Sequence, residues 1–289
     1  MRTDTALSAL ARDSGAFAML ALDQREALRD MMAAHCPGPV SDGQITRFKL
    51  EAARILTPHA SAVLIDRQFA LDQAIATGAV SAGCSLIAAA DLFEAAHGET
   101  VGRTRIDLEA DPAAYAALGV KAMKLLIIYR PDEDPEPRLA LARQFIDRCR
   151  SAGLASIIEP VSRRPRDGGP FDKTAGTLAA AAELGHLGAD LYKAEVPFDG
   201  LGPEREVRAA FARLSELIDS QWVVLSSGVP DRRFPQTVAW ACAEGASGFL
   251  AGRAVWASCL AAPHIPDALR TIAVDRLRRL CDTVDDAAA

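Results

Sequence analysis

Lys193 stands in the middle of a short apolar segment, residues 189–197, which has the length of a strand and ends at a proline. Alternate side chains of a strand share a face, so Lys193 lies on the same side as Leu191 and Glu195. A buried ammonium is costly unless it is paired or used in chemistry. It would be paired if its stem crossed the core and its head met Glu195. It would be used if the amine attacked a carbonyl and formed a Schiff base.

A second lysine, Lys124, lies inside another apolar segment, residues 122–129. At the entry of a strand it would be exposed. Inside a barrel it would pair with Glu159 or favour the neutral form of Lys193 by repulsion. Asp23 and Glu159 stand at or near the ends of two further apolar segments. Two acids and two amines in one interior suit the proton transfers of a carbinolamine and an enamine, so these four residues are the candidate catalytic groups.

Arginines follow several apolar segments, although the formal net charge of the chain is −6. They are Arg25, Arg67, Arg130 and Arg253, together with Arg163, Arg164 and Arg166 after the fifth segment. Solvation in a loop would explain any one of them. The set predicts an electropositive mouth that attracts an anionic substrate.

Small residues end the last two apolar segments, where barrels commonly hold a phosphate. The candidate substrate-binding residues there are Ser226, Ser227, Gly228, Ala251, Gly252 and Arg253. Tight turns alone would also explain the glycines. Gln24 and Arg25, after the first segment, are candidates for a second anion.

Eight short apolar segments position these residues, and each is followed by a stretch with helical periodicity. The segments are residues 17–23, 61–66, 84–90, 122–129, 155–160, 190–195, 222–228 and 247–252. Their spacing is that of a βα unit, and eight units favour a closed (β/α)8 barrel, an α/β TIM barrel, over an open doubly wound sheet. No linker divides the chain, so we predict one barrel domain over residues 1–289. Start and stop signals predict helices over 136–152, 173–187 and 204–219, with a leading helix over 1–12 and a closing one over 266–282.

Composition excludes several classes of function. The acidic balance argues against nucleic acid, and no apolar run reaches the length of a membrane span. The six cysteines are scattered and the start of the chain is not a secretory signal, which favours the cytoplasm. None of the five histidines ends an apolar segment, so we predict chemistry without a metal and without a cofactor.

The order of these groups resembles the class I aldolases that cleave ketose phosphates. An acid lies on the first segment, lysines on the fourth and sixth, glutamate on the fifth and arginine after the eighth. More closely, FAMLALDQRE (17–26), SIIEPV (156–161), ADLYKAE (189–195) and GASGFLAGRAVWAS (245–258) resemble sulfofructosephosphate aldolases, relatives of the tagatose-1,6-bisphosphate aldolases. The resemblance implies cleavage of 6-deoxy-6-sulfofructose 1-phosphate to dihydroxyacetone phosphate and 3-sulfolactaldehyde, a step of sulfoquinovose degradation, through a Schiff base on Lys193.

Two other functions stay open at this point. Cleavage of tagatose or fructose 1,6-bisphosphate would use the same chemistry with phosphate at both ends. A phosphosugar-binding barrel without turnover would not need a buried amine. In each case we expect a homo-oligomer whose partner is a small phosphorylated ketose, either sulfonated or bisphosphorylated.

Overall fold

The computed structural model describes residues 3–96, 98–226 and 228–289, and these contain ten strands. They are β1 (Phe17–Leu22), β2 (Ala62–Asp66), β3 (Ser85–Ala89), β4 (Asp91–Ala96), β5 (Glu99–Ile106), β6 (Ala122–Tyr129), β7 (Ala155–Ser162), β8 (Leu191–Ala194), β9 (Gln221–Val224) and β10 (Gly248–Ala251).

Eight of the strands close into a parallel barrel in the order β1-β10-β9-β8-β7-β6-β3-β2. β1 pairs with β2 on one side and with β10 on the other, where Phe17 lies opposite Gly248. Each of these strands overlaps one of the eight predicted segments, so the predicted α/β barrel is confirmed.

The other two strands form an antiparallel hairpin that the sequence did not predict. β4 begins one residue after Ala90 at the end of the third barrel segment, and Asp91 pairs with Ile106 of β5. On β5 the buried positions are Gly102, Thr104 and Ile106, of which only the last is a large apolar residue. A weakly apolar buried face of this kind gives little alternation for a sequence pattern to detect.

Helices follow the strands around the barrel. They are α1 (Thr3–Ser8), α2 (Glu26–Ala33), α3 (Asp42–Leu56), α4 (Leu71–Ala76), α5 (Pro112–Ala117), α6 (Glu136–Ala152), α7 (Lys173–Leu184), α8 (Glu204–Leu217), α9 (Phe234–Ala243), α10 (Arg253–Trp256), α11 (Ile265–Ala268) and α12 (Val274–Ala288). A π-helical stretch, Leu269–Ala273, joins the last two. None of the helices among the described residues is long and apolar enough to cross a membrane.

Local signals explain several helix boundaries. The Asp172 side chain accepts a hydrogen bond from the backbone of Ala175 and so caps α7. Gly153 adopts a left-handed conformation (φ 70°) immediately after α6, which ends where it was predicted to end. The predictions for α7 and α8 ran two or three residues too far, because Gly185 and the extended Ile218 end these helices first. The leading helix is also shorter than predicted.

Alternate residues of the barrel strands belong to two separate apolar layers, one inside the barrel and one between the barrel and the helices. Phe17, Met19 and Ala21 of β1 point into the barrel, whereas Ala18 and Leu20 pack against the surrounding helices. In β8, Leu191 belongs to the interior and Tyr192 to the outer layer. In several strands the next inward position toward the carboxyl end is charged, as at Asp23, Glu159 and Lys193, so a polar layer lies above an apolar floor.

Candidate active site

A cavity of about 410 Å³ opens at the carboxyl ends of the barrel strands. Lys193, Glu159 and Asp23 line it, and each stands two residues beyond an apolar inward position of its own strand. A larger and more open depression of about 660 Å³ lies at the opposite end of the barrel, beside Arg12 and Asp285. The smaller cavity is the candidate active site, because its described lining brings Lys193 together with carboxylates, whereas the described lining of the larger depression contains no lysine.

Lys124 lies beneath the cavity wall and is fully buried among three carboxylates. Its Nζ is 2.6 Å from Asp23 Oδ2, 2.8 Å from Asp91 Oδ2 and 3.1 Å from Glu159 Oε2. The alternative of an exposed lysine at a strand entry is thereby excluded. The carboxylates satisfy the ammonium in every direction, so Lys124 is a fixed positive charge.

Lys193 has a simpler environment. Its Nζ lies 3.0 Å from Glu159 Oε1, and its side chain is 4% exposed at the cavity floor. The ion pair is with Glu159, whereas the sequence suggested Glu195 as the partner. Glu159 therefore touches both lysines, with one carboxylate oxygen on each. This short chain of contacts gives a proton on Lys193 an acceptor within hydrogen-bond distance.

The buried cluster shifts the pKa values of its members in opposite directions. Burial opposes ionisation of Asp23, but the ammonium groups of Lys124 and then Lys193 outweigh it and hold the Asp23 pKa well below its usual value. For Asp91, burial is likewise outweighed by Lys124 and Arg25, and its pKa is lowered. Burial would lower the pKa of Lys124, yet its three carboxylate neighbours raise it well above the ordinary value.

Asp91 is a member of this cluster that the sequence did not single out. It is the first residue of β4 and directly follows the third apolar segment, residues 84–90. One carboxylate oxygen accepts from Lys124 and from the backbone N–H of Leu126, and the other from Arg25 Nη2 at 2.7 Å. The signal in the sequence was an acid at the carboxyl end of a barrel segment, which is also what identified Asp23.

Glu195 is the second residue of the site that is absent from the predicted candidates, since the sequence suggested it only as a partner of Lys193. It is buried, lines the cavity beside Lys193, and accepts a hydrogen bond from the backbone N–H of Ser162 at 2.7 Å. Lys173 Nζ lies 3.7 Å from its other oxygen and also contacts Asp199, a residue in the left-handed conformation. Burial raises the pKa of Glu195, and Lys173 offsets this only in part. The pocket thus holds a carboxyl group that keeps its proton more readily than usual.

Gln24 and Arg25 both line the cavity, but their functional groups face different neighbours. The Arg25 guanidinium pairs with Asp91 and lies over the ring of Phe93, 4.4 Å from its centroid. Gln24 Nε2 donates to Asp23 Oδ1 at 3.3 Å, and its Oε1 is buried without a hydrogen-bond partner in the described part of the chain. Gln24 approaches the end of β10, since a Cβ on Gly252 would lie 3.1 Å from its Nε2.

The residues predicted to hold a phosphate are distributed over the ends of β9 and β10. Arg253 is exposed and lines the cavity. Ser226 is buried, and its Oγ accepts from the backbone N–H of Ala254 at 3.4 Å. Ser227 lies outside the described residues. The other predicted members, Gly228, Ala251 and Gly252, do not line the cavity.

Close packing explains why two positions at these strand ends are occupied by glycine. A Cβ on Gly228 would overlap the Asp199 carboxylate, and one on Gly252 would overlap the carbonyl of Ala21. Because α10 is a single turn, the anion-binding prediction depends on Arg253 and on backbone groups near Ser226 more than on a helix dipole.

Comparison with known proteins identifies relatives over most of the chain. The profile of the DeoC/LacD family aldolases matches residues 17–258. Tagatose 1,6-diphosphate aldolase 1 of Streptococcus pyogenes serotype M3 is 30% identical over 274 residues, which cover 84% of this chain and 81% of that protein.

Solved aldolase structures share the fold. Fructose-bisphosphate aldolase from Plasmodium falciparum superposes with a TM-score of 0.70 at 12% identity, over 98% of this chain and 94% of that one. A Schiff-base-forming fructose-1,6-bisphosphate aldolase superposes with a TM-score of 0.64 at 16% identity, over 98% of this chain and all of that one.

Proposed function

Since this chain belongs to the DeoC/LacD family of aldolases, which are lyases, we propose that it cleaves a ketose 1-phosphate through a Schiff base on Lys193. The observation that carries the proposal is the line of contacts from Lys193 through Glu159 to Lys124. It gives one lysine a single proton acceptor in an open cavity and fixes the other as a permanent charge.

The first half of the reaction forms the Schiff base. Lys193 passes a proton to Glu159, and the neutral amine attacks the C2 ketone to give a carbinolamine. Glu159 returns the proton to the C2 hydroxyl, which leaves as water, and an iminium remains on Lys193. The positive charge is thus restored beside the Glu159 carboxylate, so the charge balance of the buried cluster is unchanged.

The second half breaks the carbon–carbon bond. Glu159 accepts the proton of the C4 hydroxyl, the C3–C4 bond breaks, and its electrons move into an enamine on Lys193 while the aldehyde departs. The proton on Glu159 is then delivered to C3, and water hydrolyses the resulting iminium to dihydroxyacetone phosphate and free Lys193. Asp23 and Lys124 hold Glu159 in position through these steps, and Arg253 binds the 1-phosphate together with backbone groups near Ser226.

For the substrate we propose 6-deoxy-6-sulfofructose 1-phosphate, which gives 3-sulfolactaldehyde as the aldehyde. The motifs at residues 189–195 and 245–258 support this choice. The charge of the cavity supports it too, because five carboxylates and four cationic side chains line its wall. A sulfonate adds one negative charge there, whereas a phosphate ester adds about 1.5 to 2 at neutral pH.

Tagatose 1,6-bisphosphate is the second candidate, because a tagatose 1,6-diphosphate aldolase is the 30% identical relative. A direct comparison separates the two. The purified protein is given sulfofructose 1-phosphate, tagatose 1,6-bisphosphate and fructose 1,6-bisphosphate in parallel, and dihydroxyacetone phosphate is measured. We expect kcat/KM for the sulfonated ketose to exceed the others by about tenfold or more. A preference for a bisphosphate would replace the substrate proposal, and the absence of product from all three would contradict the aldolase mechanism.

The Schiff-base mechanism also predicts how the enzyme responds to chelators. The iminium on Lys193 supplies the electron sink, so we expect EDTA to leave turnover unchanged. Turnover measured before and after overnight dialysis against EDTA tests this. Loss of activity that zinc or cobalt restores would contradict the assignment to class I.

A further inference from the structure

We propose that Arg163 binds the anionic group at C6 of the ketose and thereby selects substrates that are charged at this position. The inference rests on the proposed aldolase function and deepens it, because it names the residue that recognises the aldehyde half of the substrate.

The position of Arg163 relative to Lys193 is the first argument. Arg163 directly follows Ser162, the last residue of β7, and lines the cavity. In the barrel, β8 lies between β7 and β9, and β10 follows β9. Lys193 on β8 therefore stands between Arg163 on one side and Arg253 on the other. A ketose with C2 at Lys193 and its 1-phosphate toward β10 extends its C6 end toward β7.

The availability of the Arg163 guanidinium is the second argument. Arg67, Arg130 and Arg166 hold ion pairs with acids of the rim. Arg25 is held by Asp91. By contrast, among the residues that the structure describes, no carboxylate lies within ion-pair distance of Arg163, and its hydrogen bond is a long one, 3.3 Å from Nη1 to the Ser162 carbonyl oxygen.

The charge at this side of the cavity is the third argument. Glu195 lies on the same wall, and the positive charge of Arg163 acts on it through space and lowers its pKa, against the larger effect of burial. One guanidinium thus faces a region that already holds a buried acid. The single positive charge of Arg163 complements a group with a single negative charge. Hydrogen bonds from a guanidinium to sulfonate oxygens are charge-assisted.

Arg164 provides a matched control on the same loop. Its guanidinium lies over the ring of Phe171, 5.7 Å from the centroid, and the residue does not line the cavity. Arg163→Ala and Arg164→Ala each remove one positive charge from adjacent positions. Only the first removes it from the cavity wall.

The test uses three substrates that differ at C6: sulfofructose 1-phosphate, fructose 1,6-bisphosphate and fructose 1-phosphate, which has no C6 anion. We expect Arg163→Ala to lower kcat/KM for the two C6-charged ketoses on the order of 100-fold, mainly through KM. Its kcat/KM for fructose 1-phosphate should stay within about twofold of wild type, as should all three values for Arg164→Ala. Borohydride trapping of dihydroxyacetone phosphate should be unchanged in both variants, because this product lacks the C6 half.

The opposite results are equally informative. An equal loss on all three ketoses, or weaker trapping, would assign Arg163 to the Schiff-base chemistry and overturn its role at C6. Unchanged kinetics with the C6-charged ketoses would overturn that role as well. If the wild-type protein neither cleaves a ketose phosphate nor is trapped by dihydroxyacetone phosphate, the proposed function itself fails.

Discussion

At the scale of single residues, the two buried lysines differ in how many carboxylates they touch. Among the described residues, Lys124 contacts three carboxylates and Lys193 contacts one. A nucleophile must lose its proton during the reaction, which is easier for an ammonium with one acceptor at the edge of a cavity than for one enclosed by acids. The contacts therefore favour Lys193 as the Schiff-base residue and Lys124 as the charge that keeps the acids ionised.

Lys193→Arg should reduce cleavage to background while the fold persists. The guanidinium retains the charge that faces Glu159 but cannot act as a neutral amine at working pH. Peptide mapping after borohydride reduction with dihydroxyacetone phosphate checks the assignment in the wild-type protein. We expect the added mass on the peptide that contains Lys193. A label on Lys124 would contradict the mechanism proposed above.

Lys124→Met should lower the free energy of unfolding by about 3 to 5 kcal/mol, because it leaves buried carboxylates without their cation. Without Lys124, burial raises the pKa of Asp23 and Asp91, so both take up protons more readily in the folded variant. The destabilisation should consequently be smaller at pH 5 than at pH 8. Urea denaturation at both pH values measures it, and exposed Lys121→Met is the control, with an expected change within about 0.5 kcal/mol. Equal destabilisation at both pH values would argue against the cluster.

At the scale of elements, the hairpin of β4 and β5 completes the site that the barrel begins. It supplies Asp91 to the buried cluster and Phe93 beneath the Arg25 guanidinium. Thr100 and Val101 of the same hairpin line the cavity. A hydrogen bond of 3.0 Å from Arg166 to the Gly102 carbonyl oxygen connects the hairpin to the loop after β7. The strand ends of the barrel thus provide the candidate catalytic groups, and the insertion after β3 closes one wall around them.

The junction between β10 and β1 depends on Gly248. Its φ of 138° lies in a region that side chains rarely adopt, and a Cβ there would overlap the carbonyl oxygen of Phe17. Gly248→Ala should therefore destabilise the barrel by about 2 to 4 kcal/mol, measured by urea denaturation. Gly43→Ala, on the exposed face of α3, is the matched control, because its Cβ would meet nothing closer than 4.0 Å. A Gly248→Ala protein as stable as the control would show that the junction has room to adjust.

At the scale of the whole molecule, the barrel was predictable because each strand is a short apolar run between turn and cap residues. The candidate lysines and acids were predictable because ions are rare inside such runs. The contact between Asp91 and Lys124 was not, since a pairing across 33 positions leaves no local pattern. Nor does any pattern distinguish Arg25, which holds Asp91, from Arg163, whose guanidinium faces the cavity. Both are arginines within three residues of the end of a strand, and only the packing of the hairpin separates them.

As the pH is lowered from neutral, the stability of the fold should first rise and then fall. Glu195 has a raised pKa in the folded protein, so it takes up a proton before the unfolded chain does, and stability rises as the pH falls from neutral toward about 4.5. Asp23 and Asp91 have lowered pKa values, so the stability that they contribute above about pH 4 is lost as the pH falls further. Thermal midpoints between pH 7.5 and 3 should therefore pass through a maximum.

Glu195→Gln separates the effect of Glu195 from that of Asp23 and Asp91, because glutamine can still accept the hydrogen bond from the Ser162 backbone but does not titrate. We expect the difference in midpoint between variant and wild type to shrink as the pH falls from 7.5 to 5, while the loss below pH 4 stays the same in both. The exposed Glu136→Gln removes a carboxylate from the first turn of α6 and should show no such change across the upper window. A constant difference between Glu195→Gln and wild type from pH 7.5 to 5 would mean that Glu195 does not change its protonation state in this range, which would contradict the expected rise in stability between neutral pH and pH 5.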